Sequence, residues 1–293
     1  MQIPRDSTAF WPAYQERWAG LLCDRTDGLQ SWVDEMRIAL SGGQSEVADI
    51  AEARAALENL SARLKRLQSV ETALEAPIEA AVIAHFVSYG AAIVGALKWG
   101  AAADTGSAPV RYGEVRGVLE QFKSLISVLE LSPSVVLGLA DRDSQIIARA
   151  LALRLKLRYD SAGHDALSQS EAIIVAADSR SLNAPVLTRI FPEQILFAFN
   201  LHPQGAGLAP DVAGLSRLDL VFPWHLEAAE TAEADDDGET PLREASSVAA
   251  QIAATRAVSD ASWPARLEFY RARNALLAAG NPRFSRLPML PGL

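Results

Sequence analysis

The sequence predicts an α+β (mixed) protein: an N-terminal helical bundle with a long helical hairpin, then a mixed α/β region and C-terminal helices. Three observations predict it. Residues 46–74 carry a coiled-coil-like apolar seam, residues 80–97 form an uncharged run, and short Ile-, Val- and Phe-rich segments begin only after Pro133. At 293 residues, 49% hydrophobic and 22% charged, the chain can bury one large core or two ordinary ones. The expected division is a helical region over residues 1–132 and a mixed α/β region over residues 133–293, with an acidic mobile loop at 226–247.

The first helices start near Ser7 or Thr8 as N-cap and end at the Gly42–Gly43 pair, a C-terminal stop signal. Trp11, Trp18 and Trp32 are expected to anchor them in a core. Ile50, Ala53, Leu57, Leu60, Leu64 and Leu67 then alternate steps of three and four, with Glu, Arg and Lys opposite. Pro77 breaks the pattern, and a second helix is expected from Ile78 to about Ala101. Its uncharged run, Ala80 to Leu97, reaches the lower edge of transmembrane length. Many of its residues are Ala or Gly, and His85, Ser88 and Tyr89 are polar. The expected role is therefore the buried spine of the bundle, with membrane insertion as the alternative.

Ala101–Gly113 reads as a loop. A helix follows, with Val115, Val118, Leu119, Phe122, Leu125, Ile126 and Leu129 at helical spacing, and Pro133 marks its end. Asp141 to Ser144 reads as a turn. Beyond it Leu151, Leu153, Leu155, Leu157 and Tyr159 alternate with Ala152, Arg154, Lys156 and Arg158. Period two argues for a strand and the Ala and Leu content for a helix; the strand is the preferred reading. EAIIVAA, EQILFAFN and RLDLVFPW are further strand candidates. Two helices close the pattern, SSVAAQIAATRAV and SWPARLEFYRARNALLAAG, before an extended Pro-rich tail. No internal repeat is visible.

A formal net charge of −9 excludes a general nucleic-acid binder, which needs a basic surface to displace counterions. The one cysteine, Cys23, excludes an intrachain disulfide and a multi-cysteine metal site. It fits a reducing compartment, and with no apolar segment at the N-terminus the expected location is cytoplasmic. No GxGxxG, HExxH, CxxC or GxSxG motif is present.

The histidines are the best remaining lead. His202 follows ILFAFN and His225 follows LDLVFPW; if those strands are parallel neighbours, both emerge on one sheet edge, where α/β proteins gather ligands. With Glu227, and with His164 beside Asp165, they form a candidate site for a divalent metal. His85 is read as a hydrogen-bonded core histidine. Arg154, Lys156 and Arg158 would form one face of the expected strand and receive an anion or an acidic partner. Asp141, Asp143 and Asp160 are read as turn residues.

The function expected from these features is non-catalytic binding or assembly, with the helical hairpin making a homo-oligomer or a protein-partner contact. One alternative is a metal-dependent enzyme around His202, His225 and Glu227. The other is a membrane-active protein using residues 78–101, although membrane association is not the favoured expectation.

Overall fold

Runs of Ile, Val, Phe and Ala without polar alternation become strands here because most are covered on both faces, as parallel strands require. The computed structural model describes residues 30–31, 33–35, 37–38, 47–71, 78–95, 109–163, 169–183, 191, 193–202, 208–217, 219–232 and 244–279. In chain order they form α1 (Val47–Glu71), α2 (Ala80–Tyr89), β1 (Ala92–Ile93), α3 (Tyr112–Val128), β2 (Val135–Gly138), α4 (Arg142–Leu155) and β3 (Arg158–Ser161). These are followed by β4 (Ala172–Asp178), β5 (Ile195–Asn200), β6 (Val212–Leu215), α5 (Pro223–Ala232), α6 (Ala245–Ala254) and α7 (Trp263–Arg271). The six strands make one sheet in the order β1-β6-β5-β4-β2-β3, parallel at every pairing.

The fold class is therefore α/β, not α+β, and the described residues form no N-terminal bundle with a long hairpin. The uncharged run that suggested the hairpin is two elements in succession. α2 stops at Tyr89 because Gly90 adopts the left-handed conformation, with φ 67°. The Arg66 guanidinium occupies the space a Cβ would need there. The chain then enters β1, whose Ala92 and Ile93, with Val94 beyond, are fully buried. A helix buried on most sides and a strand buried on both faces are equally free of charge, so together they imitate one long apolar helix. No described helix is long and apolar enough to cross a membrane.

The C-terminal part of the seam on α1 faces the protein's own core: Leu60 and Leu64 are buried, and Leu67 packs on the main cluster. Residues 151–155 are also helical, against the strand expectation. Asp141 caps α4, accepting the Ser144 N–H at 2.8 Å, and Lys156 ends the helix in the left-handed region. Leu153 points outward, 53% exposed, so the leucine alternation spans two helical faces rather than one strand face. β3 starts only at Arg158. Among its described residues RLDLVFPW forms no strand; Pro223 opens α5, and the neighbouring strand is the short VAGL of β6. The acidic segment expected as a loop over 226–247 begins in α5 and ends in α6, and its residues 233–243 lie outside the described residues. So do Ser7, Thr8, Trp11, Trp18, Trp32, Cys23, Gly42, Gly43 and the Pro-rich tail.

The chain passes from β1 through α3 to β2, and through α4 to β3, moving the same way across the sheet. Right-handed crossovers put both helices on one face, and α3, α4 and α6 share a single cluster there with Val136, Ile173, Phe197 and Val212. Phe122 of α3 meets Phe197 of β5 at a centroid distance of 4.6 Å. β4, β5 and β6 then return in the opposite direction. The reversal lies between β2 and β4.

The outer edge of β1 is covered by α7. Tyr270 is fully buried, and its hydroxyl accepts the Ile93 N–H at 2.8 Å. Arg266 donates to the Gly95 carbonyl at 2.6 Å. We predict that Tyr270→Phe leaves that buried N–H unpaired and destabilises the protein by about 1–3 kcal/mol, read from urea unfolding.

His85 sits on α2, 4% exposed, and its Nε2 has no hydrogen-bond partner among the described residues, unlike the expected hydrogen-bonded core histidine. Burial lowers its pKa from 6.5 to about 4. The unfolded chain therefore binds this proton first, and the histidine's contribution to stability falls as pH drops from 6.5 towards 4. The loss reaches about 3 kcal/mol below that window. His85→Leu should flatten unfolding free energy against pH across it.

Candidate functional site at the carboxyl edge of the sheet

In open parallel sheets the strand ends part at the reversal point, which leaves a crevice at the carboxyl edge. Here the loop after β2 leads to α4 on one face. The loop after β4 leads to a short 3₁₀ turn, Ser179–Asn183, whose Leu182 packs into the cluster on the other. Ser144 holds the two sides together: its hydroxyl donates to Asp141 Oδ2 at 2.6 Å and accepts the Ala177 N–H at 2.8 Å.

Two polar groups build the edge. In the first, Asp178 and Asn200 end β4 and β5. Asn200 Nδ2 donates to Asp178 Oδ2 at 2.9 Å and to the Arg217 carbonyl at 3.1 Å, while its Oδ1 accepts the Arg217 N–H at 3.0 Å. Arg180 adds a backbone N–H and its Nε to Asp178 Oδ1, at 2.9 and 2.8 Å. Burial works to raise the Asp178 pKa, but the bonds from Arg180 and Asn200 outweigh it and hold the carboxyl below the usual range. Arg217 also reaches Glu114 in the first turn of α3, at 3.6 Å.

In the second group, Asp143 Oδ1 takes the Trp224 indole N–H at 2.7 Å and His225 Nε2 at 2.9 Å. Pro223 starts α5, so Trp224 and His225 lie in its first turn. Phe222 stacks on Trp224 at 4.4 Å and 9°, and Tyr112 of α3 donates its hydroxyl to Glu227 at 3.0 Å. A carboxylate oxygen only accepts, so His225 Nε2 donates to Asp143, and in the neutral ring Nδ1 is then left as an acceptor. The His225 side chain is 41% exposed. It can therefore meet a ligand in an orientation fixed by Asp143.

The sequence candidates fall as follows. His225 is at this edge, paired with Asp143, and Glu227 is paired with Tyr112. His202 follows β5 and is buried, with its backbone N–H on Ser179 Oγ at 2.9 Å. His164 and Asp165 lie outside the described residues. Among the described residues, no group of three His, Cys, Asp or Glu side chains is placed to hold a metal ion. Arg154 binds Glu120 at 2.7 Å, Lys156 ends α4, and Arg158 donates to Gln169 at 2.9 Å. The chain passes from helix to strand between them, so no single strand face carries all three.

Sequence spacing singles out none of Asp178, Asn200, Arg217 and Trp224, and it reads Asp143 as a turn residue. Asp178 and Asn200 did leave a signal, each being the first polar residue after an apolar run. No protein-family model matches this chain, and no curated protein matches it.

Asp143→Ala should leave the buried Trp224 N–H without an acceptor. The expected results are a loss of about 1–3 kcal/mol in stability and faster exchange of the Trp224 indole proton by NMR.

Proposed function

We propose that this chain is a binding protein that takes a small ligand in the crevice at the carboxyl edge between β2 and β4. The reading is supported by one observation above all: polar side chains from β4, β5, α4 and α5 gather at the edge where the chain reverses direction. Their fixed partners favour a site formed before the ligand arrives, which lowers the ordering cost of binding. Asp143, Asp178 and Arg217 are matched within the chain, so an incoming ligand meets His225 Nδ1 and the exposed Arg180 rather than a single uncompensated charge. An assembly role, as a homo-oligomer or with a protein partner, is compatible with this reading, but without the helical hairpin as its basis.

A second reading is favoured by the Asp143–His225 pair. A carboxylate that orients an exposed imidazole also suits proton transfer, and the protein would then be an enzyme with His225 as its general base.

A thermal-shift screen against defined small-molecule classes tests both. A ligand that raises Tm in the wild type and loses that effect in His225→Ala and Arg180→Ala supports the crevice. Chemical turnover of that ligand, abolished by His225→Ala with binding retained, selects the enzyme. Stabilisation that persists in both variants, or the absence of any stabilising ligand, would sink the binding proposal.

A further inference from the structure

The groove between α3 and the segment linking α6 to α7 lies apart from the carboxyl-edge crevice and does not depend on it. It encloses about 320 Å³ and is lined by Glu120, Gln121 and Ser124 of α3, with Ser259, Asp260 and Trp263 facing them. That volume is at the small end for ligand sites. Its walls are held firmly. Val258 N–H donates to the Gly113 carbonyl at 2.8 Å, and Arg116 donates to the Ala253 carbonyl. At Gly117 the Val258 carbonyl comes so close that a Cβ would lie 2.6 Å from it. Asp260 is fixed by Ser262 and by Arg266.

Its chemistry defines a ligand class. Arg116 and Arg154 both bind Glu120 through Oε1, at 2.8 and 2.7 Å, so neither of these two ion pairs uses Oε2. Gln121 is 7% exposed and its Oε1 has no hydrogen-bond partner among the described residues. The Trp263 indole lines the same groove. Two acceptors, an aromatic ring and the exposed Val258 therefore surround a space whose two carboxylates are already matched by three guanidinium groups. Because each carboxylate is already paired with an arginine outside the lining, the groove offers no uncompensated charge of either sign, which favours an uncharged ligand. Hydroxyl groups above an apolar ring face satisfy every open group.

We propose that this groove binds a neutral polyhydroxylated ligand of the monosaccharide class, stacked on Trp263 and donating hydroxyl hydrogens to Glu120 and Gln121. The test is saturation-transfer NMR on the full chain with D-glucose, D-mannose and D-galactose in turn, then calorimetry on any that binds. At least one hexose should show transfer, and its Kd should rise tenfold or more in Trp263→Ala while staying unchanged in His225→Ala. Trp263→Ala also removes packing from α7, so Ser259→Trp provides the control: it fills the groove from an exposed position and should abolish binding with no change in Tm. Absence of transfer from all three hexoses, or binding that survives Ser259→Trp, would overturn the proposal. Tighter binding of ethanolamine or acetate in the same groove would overturn the neutral class.

Discussion

Parallel pairing makes tight turns between neighbouring strands impossible, and most of this structure follows from that constraint. Each strand must be carried back to its starting end before the next can pair. The returns through α3 and α4 cover one face, a second cluster with Leu182 and Leu208 packs on the other, and β5 and β6 are buried along their whole length. All strand ends of one kind then lie on one edge. Asp178 and Asn200 stand there because they are the last residues of β4 and β5. The polar network at the carboxyl edge is thus a product of topology before it is a product of chemistry.

The same constraint explains which parts of the fold were legible. α3 carries polar residues on one side, and its spacing reads directly as a helix. The strands EAIIVAA and EQILFAFN were visible from their composition and their flanking residues. β1 was hidden because two-sided burial removes the alternation that marks a strand, and it follows α2 with only Gly90 and Ala91 between. β6, with the sequence VAGL, has too little β-branched or aromatic content to stand out. In α4 the capping role of Asp141 resembled a turn, and Leu153, exposed at the surface, completed a false period of two. The Asp143–His225 pair joins residues far apart in sequence, and no local spacing could reveal it.

Buried arginines form a second theme. Arg66, Arg116, Arg266 and Arg273 each donate to backbone carbonyls of distant segments. Arg66 reaches Leu276, and Arg273 reaches Ser69, so the α1 region and the C-terminal helices hold each other through carbonyl groups left open at element ends. Burial, with repulsion from Arg63 second, lowers the Arg66 pKa to about 9. These side chains are costly to desolvate, but they satisfy backbone oxygens that apolar residues would leave bare.

The two margins of the sheet are closed by different means. At β1, Tyr270 and Arg266 occupy the outward backbone groups, so a foreign strand finds no bonding partner there. At β3, four residues long, Arg158 and Asp160 put opposite charges along a short margin, which offers little purchase for strand addition. One margin is shut by saturation and the other by brevity and charge. The sheet therefore has a fixed width, and self-association by adding strands is discouraged at both ends.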